Sequence, residues 1–209
     1  MSGSLPSSAA TLLRQLRLLR RHLRYGPAGW TRFGQAARLD ALATVFRGVN
    51  RYLRDLGIDY WLVYGTLLGW HRDGRILAHD YDVDFGAPAA CFPRIWESRD
   101  RLPAGFTLRD TSPRHHGPKL YCEYRGWEAD IYFFREMDGQ LCSTERSRNP
   151  GDMKPFPRDY FYPRQSTTFL GEATWVPAKS TGYLEHIYGY LGPDAVRDPE
   201  TRYFRPRQD

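Results

Sequence analysis

The sequence predicts an α/β (α+β) domain built on a mixed β-sheet flanked by helices. Three observations carry that expectation. Leu39, Leu42, Phe46, Val49, Leu53 and Leu56 recur at the spacing of one buried helix face. Ile58–Tyr64 is a short apolar run rich in aromatic and branched residues, as in a buried strand. Lys119–Tyr124 and Trp127–Phe134 flank Arg125-Gly126 as the arms of a hairpin. The second arm alternates Glu128, Asp130 and Tyr132 with Ala129, Ile131 and Phe133, so two sets of side chains face opposite ways.

The bulk composition sets the limits. A chain of 209 residues, 41% hydrophobic and 26% charged, suits one soluble domain with its own core, or a domain plus an arm. No run of 18 or more apolar residues occurs, so no transmembrane helix is expected. The net charge is +6, and nearly all the positive charge is Arg, since the only lysines are Lys119, Lys154 and Lys179. The planar Arg fork suits phosphate and is compatible with an anionic substrate, although a genome composition bias gives the same excess. Outside the N-terminal segment the basic residues do not cluster. A non-enzymatic nucleic-acid-binding module is therefore the last-ranked reading, and no nucleic-acid partner is expected. Cys91, Cys122 and Cys142 are odd in number and widely spaced. They predict reduced thiols, a reducing compartment and a cytoplasmic location.

Residues 1–34 form an arm and linker, and residues 35–209 the domain. No acidic residue precedes Asp40. Leu12, Leu13, Leu16, Leu19 and Leu23 fall at helical spacing among Arg14, Arg17, Arg20, Arg21 and Arg24. Such a basic amphipathic helix has three readings: peripheral contact with an anionic membrane, an import presequence, or leucines packed on the domain. Tyr25–Gly34, interrupted by Gly and Pro, reads as a linker.

Gln35–Leu56 is the first helix of the domain, with Gly57 placed to cap it. The Ile58–Tyr64 strand ends at Gly65-Thr66, and Thr66 is placed to cap a short helix, Leu67–Arg72. A helix N-terminus behind a glycine attracts a phosphate through free N–H groups and the helix dipole. Gly65 and Thr66 are therefore candidate substrate-binding residues, with Arg72 as a candidate phosphate contact or partner of an acidic residue. A turn at Asp73-Gly74 leads to a second strand carrying Asp80, Asp82 and Asp84. Three carboxylates at alternate positions share one strand face, with Cα atoms roughly 6–7 Å apart. Two like charges about 4 Å apart repel by about 4 kcal/mol at an effective dielectric of about 20. A divalent cation is the simplest remedy. A solvated edge strand, acidic to block aggregation, is the alternative.

Pro88–Arg101 reads as a helix and Gly105–Arg109 as a strand. Thr111–Pro118 is a polar loop whose His115-His116 pair is expected to be solvated. In the hairpin, Asp130 stands among apolar and aromatic residues and needs a partner. That partner is either a cation shared with Asp82 and Asp84, from a strand about 4.8 Å away, or an arginine such as Arg72 or Arg125. Met137–Arg148 holds a turn and a short strand. Asn149–Pro163, dense in Pro and aromatics, reads as an ordered loop over the site. Phe169–Pro177 is a final hairpin, Ser180–Tyr190 a helix capped by Ser180, and the remainder an extended tail.

Several of these residues together resemble a known family. Gly65-Thr66-Leu67-Leu68-Gly69, then Arg72, Gly74 and Ile76, then Asp80-Tyr81-Asp82-Val83-Asp84, resemble the signature of the LicD family. Asp130-Ile131 with the following aromatics resembles its third-carboxylate strand. Phe156-Pro157, Tyr160-Phe161, Pro177, Tyr183-Leu184 and Tyr188-Gly189 resemble its C-terminal blocks. The similarity runs over roughly residues 38–202. It implies a nucleotidyltransferase-like fold. It also implies transfer of a phospho-alcohol group, such as phosphocholine or ribitol phosphate, from a CDP-linked alcohol donor to a glycan hydroxyl. One departure stands out: Ala78-His79 replaces the usual Pro-Trp before the acidic cluster.

The mechanism expected on these grounds has one or two Mg²⁺ or Mn²⁺ ions on Asp82, Asp84 and Asp130. Asp130 is also the candidate general base toward the acceptor, and Asp80 a support behind the ligands. A second enzyme reading uses the same three carboxylates to move a nucleoside monophosphate onto an aminoglycoside-type or RNA acceptor.

Overall fold

The structure, a computed structural model, describes residues 32–115, 117–145 and 150–207. The basic amphipathic segment, with its membrane and presequence readings, lies outside the described residues, as does His116. Leu42–Asp209 form one compact unit.

Helix α1 spans Arg32–Asp55. Leu42, Val45, Phe46, Val49 and Leu53 are fully buried on one face, as their spacing requires. Gly57, at φ 61°, ends the helix by donating its N–H to the Arg54 carbonyl at 2.8 Å.

The main sheet has seven strands. Its spine runs β1 (Trp61–Leu62), β2 (Asp82–Pro88), β5 (Trp127–Met137), β4 (Lys119–Tyr124), β3 (Phe106–Asp110). Strand β6 (Gln140–Ser143) pairs with β5 and with β7 (Phe156–Pro157). Only the β2–β5 pair is parallel; the other pairs are antiparallel. The β4–β5 hairpin turns at Arg125-Gly126, both at positive φ, the geometry that suits a two-residue hairpin loop.

The pleat divides the sheet into two unlike faces. On one, Val83, Phe85 and Ala87 of β2 and Ala129, Ile131 and Phe133 of β5 are all fully buried. Phe46 of α1 stacks on Phe85 with ring centroids 5.7 Å apart, so this face takes the first helix. A hairpin of β8 (Gln165–Phe169) and β9 (Glu172–Val176) closes the same side, with Phe169 edge-on to Phe46. The other face is aromatic at one end and acidic at the other. Trp61, Phe134, Phe156, Phe161 and Tyr183 form its aromatic half, with centroid separations of 5.0–6.1 Å. Tyr183 belongs to α5 (Ser180–Tyr188). Asp82, Asp84 and Asp130 occupy the acidic half.

Several local expectations change. The strand expected at Ile58–Tyr64 pairs only at Trp61–Leu62, and helix α2 begins early, at Tyr64, and runs to Asp73. Thr66 therefore lies inside the first turn and does not cap it. Asp80 precedes β2 rather than lying in it. The segment 88–101 is one short α-helix, α3 (Phe92–Glu97), between two 3₁₀ turns. Ser112–His115 make a helical turn, α4. His115 is half-buried, with its Nδ1 2.8 Å from Glu145. The Pro- and aromatic-rich segment does not cover the site with its aromatics, because Phe156 and Phe161 sink into the core. The last hairpin spans residues 165–176 rather than 169–177. Ser180 bonds the Pro177 carbonyl and does not cap α5. The extended tail pairs as β10 (Ala195–Arg197) with β11 (Phe204–Pro206). Among the described residues, no helix is long and apolar enough to cross a membrane.

Gly86 of β2 lets β1 approach the aromatic half. A Cβ there would stand 2.6 Å from Trp61 Nε1 and 2.7 Å from Val63 Cγ1. Gly86→Ala should lower stability by about 1–3 kcal/mol, the usual range for overpacking. Urea unfolding with an unchanged slope would measure the loss.

Candidate active site

The parallel register places Asp84 of β2 directly beside Asp130 of β5, with Asp82 beside Glu128. Carboxylate oxygens of Asp82, Asp84 and Asp130 lie within 4.8 Å of one another. Asp84 is buried; the other two are half-buried. Burial raises the Asp84 pKa well above the usual carboxylate value, and Asp82, Asp130 and Asp80 raise it further, while Lys119 opposes them. The Asp84 N–H donates to Thr66 Oγ1 at 2.8 Å, which ties the first turn of α2 to the acidic strand. Val63, the residue before α2, donates its N–H to the Asp84 carbonyl at 3.3 Å.

The donor set fits a hard divalent cation. Three carboxylates converge, all their donors are oxygen, and the central one is destabilised by its neighbours' charge. Mg²⁺ and Mn²⁺ suit such ligands, and nitrogen or sulfur donors are absent from this group.

Asp130 also has partners within the protein, and neither is the arginine expected. Lys119 Nζ lies 3.0 Å from Asp130 Oδ2 and 3.1 Å from Glu145 Oε2. It also sits 4.1 Å from the centre of the Tyr132 ring. Burial pulls the Lys119 pKa down, but Asp130 and Glu145 outweigh it, so the ammonium stays charged. The Tyr132 hydroxyl donates to the same Oδ2 at 3.1 Å. The Tyr132 ring meets Tyr64 edge-on at 4.6 Å, and the Tyr64 hydroxyl donates to buried Asp152, 2.8 Å from each oxygen. Burial and then Asp152 raise the Tyr64 pKa, so this hydroxyl keeps its proton.

The other predicted residues fall in different places. The Asp80 carboxylate lies over the first turn of α2, 3.2 Å from where a Cβ on Gly65 would stand. A Cβ on Gly65 would press on this carboxylate, which would have to shift by a few tenths of an ångström. His79 stays exposed, 4.0 Å from Asp80. Arg72 does not reach the cluster. It stands eight residues beyond Tyr64, roughly 12 Å along the helix axis, and donates to the Leu191 carbonyl at 3.0 Å. Arg125 lies over the Tyr124 ring instead.

Lys119, Glu145, Tyr64 and Asp152 escaped the sequence reading as site neighbours, whereas alternation placed Tyr132 on the face of Asp130. For Lys119 a signal existed. A two-residue turn at Arg125-Gly126 fixes the pairing of Lys119 with Tyr132, and alternation then puts Lys119 on the face of Asp130.

The sequence model described as LicD/FKTN/FKRP, nucleotidyltransferase domain, matches residues 57–179, more than half of the chain. The chain belongs to the LicD family. The mouse (Mus musculus) ribitol-5-phosphate transferase FKTN is 29% identical to it over 147 residues, covering 66% of this chain and 30% of FKTN. The mouse ribitol 5-phosphate transferase FKRP is 26% identical over 168 residues, covering 78% of this chain and 33% of FKRP. This LicD-family chain therefore spans about a third of the length of these relatives. A solved structure of ANT(2")-Ia in complex with adenylyl-2"-tobramycin superimposes with a TM-score of 0.45 and 12% identity, covering 65% of this chain and 68% of the other.

The electrostatics of Asp84 give a signed prediction. A raised folded-state pKa means that the Asp84 contribution to stability is complete below the ordinary carboxylate value. It is lost as pH rises through the folded-state value. Asp84→Asn imitates the neutral form. In EDTA at neutral pH it should raise Tm, by about 2–4 °C for each kcal/mol of repulsion relieved. Differential scanning calorimetry of the two proteins checks this.

Proposed function

We propose that this domain transfers a phospho-alcohol group from a CDP-activated donor to a sugar hydroxyl of a glycan, with Mg²⁺ or Mn²⁺ held by Asp82, Asp84 and Asp130. One observation carries the reading: three carboxylates from two parallel strands converge within 4.8 Å on one face. Family membership supports the transferase class. The names of FKTN and FKRP make ribitol phosphate the first donor group to test, ahead of phosphocholine.

A bound divalent cation would neutralise the donor diphosphate and the charge that develops on the leaving CMP. Gly65 and Thr66 offer backbone N–H groups at the start of α2, where the dipole also favours a phosphate. Thr66 is buried with its hydroxyl on the Asp84 N–H, so we assign the donor contact at this turn to the half-buried Gly65. Asp80, over the same turn, borders the phosphate position and limits how far the donor can enter. Asp130 has one oxygen held by Lys119 and Tyr132. We assign the other oxygen to the cation, and Asp130 is then a ligand rather than the general base. Arg72, committed to Leu191, has no role in this reading.

The description of the matching family model as a nucleotidyltransferase domain favours a second reading, nucleoside monophosphate transfer by the same carboxylates. Product analysis separates the two. The chain is incubated with Mn²⁺, a glycan acceptor and CDP-ribitol, CDP-choline, CDP-glycerol, CTP or ATP in turn. CMP release with a phospho-alcohol on the glycan is the expected result. Pyrophosphate release from CTP or ATP, with nucleotide on the acceptor, replaces it by the second reading. Asp82→Ala and Asp84→Ala should each reduce transfer by roughly 10²-fold or more, about 3 kcal/mol of transition-state stabilisation. Both variants should still unfold cooperatively.

A further inference from the structure

We propose that Lys119 is a positioning residue. With the Tyr132 hydroxyl it holds Oδ2 of Asp130 and thereby turns the other oxygen toward Asp82 and Asp84, where the cation binds. This inference rests on the cation reading above and adds Lys119, which neither the acidic motif nor the family signature contains.

The geometry carries it. A carboxylate rotates readily about its last bond, which exchanges its two oxygens. Here both donors converge on one of them, Lys119 Nζ at 3.0 Å and Tyr132 hydroxyl at 3.1 Å. An oxygen with two donors is the poorer ligand for a cation, so the remaining oxygen is left for that work. Lys119 is itself held. It is 5% exposed, and Glu145 also holds the ammonium, 3.1 Å away. Glu145 is in turn fixed by His115 Nδ1 at 2.8 Å. The Tyr132 ring lies 4.1 Å from the ammonium and restricts it further. Lys119 and Tyr132 face each other across the β4–β5 ladder, so one register sets both donors. Outer groups that fix a ligand in this way commonly raise metal affinity 10–100-fold.

Charge alone predicts the opposite sign. An ammonium beside a cation site repels the cation, so its removal would tighten binding. Positioning predicts that removal weakens binding, and this difference in sign is the test. Mn²⁺ is titrated into the whole chain and followed by electron paramagnetic resonance. The proteins compared are the wild type, Tyr132→Phe, Lys119→Met and the charge-balanced Lys119→Met/Glu145→Gln pair. Tyr132→Phe changes no charge and is expected to fold. It should weaken Mn²⁺ binding by roughly 10-fold and broaden the spectrum of the bound ion. Lys119→Met and the double variant should weaken it by roughly 10–100-fold. If Lys119→Met fails to fold, Tyr132→Phe and the double variant decide. Wild-type binding with unchanged or tighter binding in Tyr132→Phe and the double variant overturns the positioning role and leaves the cation site standing. Wild type that binds no Mn²⁺, with Asp82→Asn behaving the same, overturns the cation reading and this assignment with it.

Discussion

Asp84 stands beside Asp130 because β2 and β5 pair in parallel in one register, and the opposite face of the sheet sets that register. Val83, Phe85 and Ala87 meet Ala129, Ile131 and Phe133 there, all without exposure. Phe46 stacks on Phe85 and locks the face against α1. A slip of β2 by one residue would send its three apolar side chains to the acidic side and Asp82 and Asp84 into the core. The hydrophobic effect on one side thus fixes the electrostatics on the other.

The acidic face is left in a state that a fold alone would not choose. Asp84 is buried among like charges, and the nearby ammonium of Lys119 is shared with Glu145. Protein sites of this kind exchange stability for function. The surroundings keep the arrangement rigid by neutral means. Thr66 holds the Asp84 N–H, Gly65 makes room for Asp80, and Tyr64 ties the start of α2 to Asp152, which is far away in sequence. Each contact joins a different segment to the same small region.

The parts of the molecule with a period were legible in the sequence. The face of α1, the β4–β5 hairpin and the third carboxylate on the hairpin's second strand all followed from alternation or helical spacing. What escaped depended on the path of the backbone. Tyr64 adopts φ 47° and starts a helix where an apolar run promises more strand. The Thr66 hydroxyl has an intended look as a cap, yet it finds the Asp84 N–H, a partner eighteen residues away. Arg72 belongs to the family signature but reaches Leu191, because a helix carries its ninth residue far from its first. The aromatics of residues 149–163 looked like a cover. Phe156 and Phe161 are core, since large apolar rings gain from burial, and Tyr160 and Tyr162 are half-buried.

The one parallel pair of the main sheet also joins segments far apart in the chain. Asp82 pairs with Glu128, so closing β2 on β5 spans 46 positions (128 − 82). The β4–β5 and β8–β9 hairpins close over only a few residues each. Loop closure grows costlier with length, by roughly 0.6 kcal/mol per doubling, and non-local pairs form slowly. Lys119 is thus set beside Asp130 by a short-range pairing, and Asp82 and Asp84 by a long-range one. The acidic cluster is completed in the same step that buries the apolar face, so its repulsion is met where the burial that offsets it is gained.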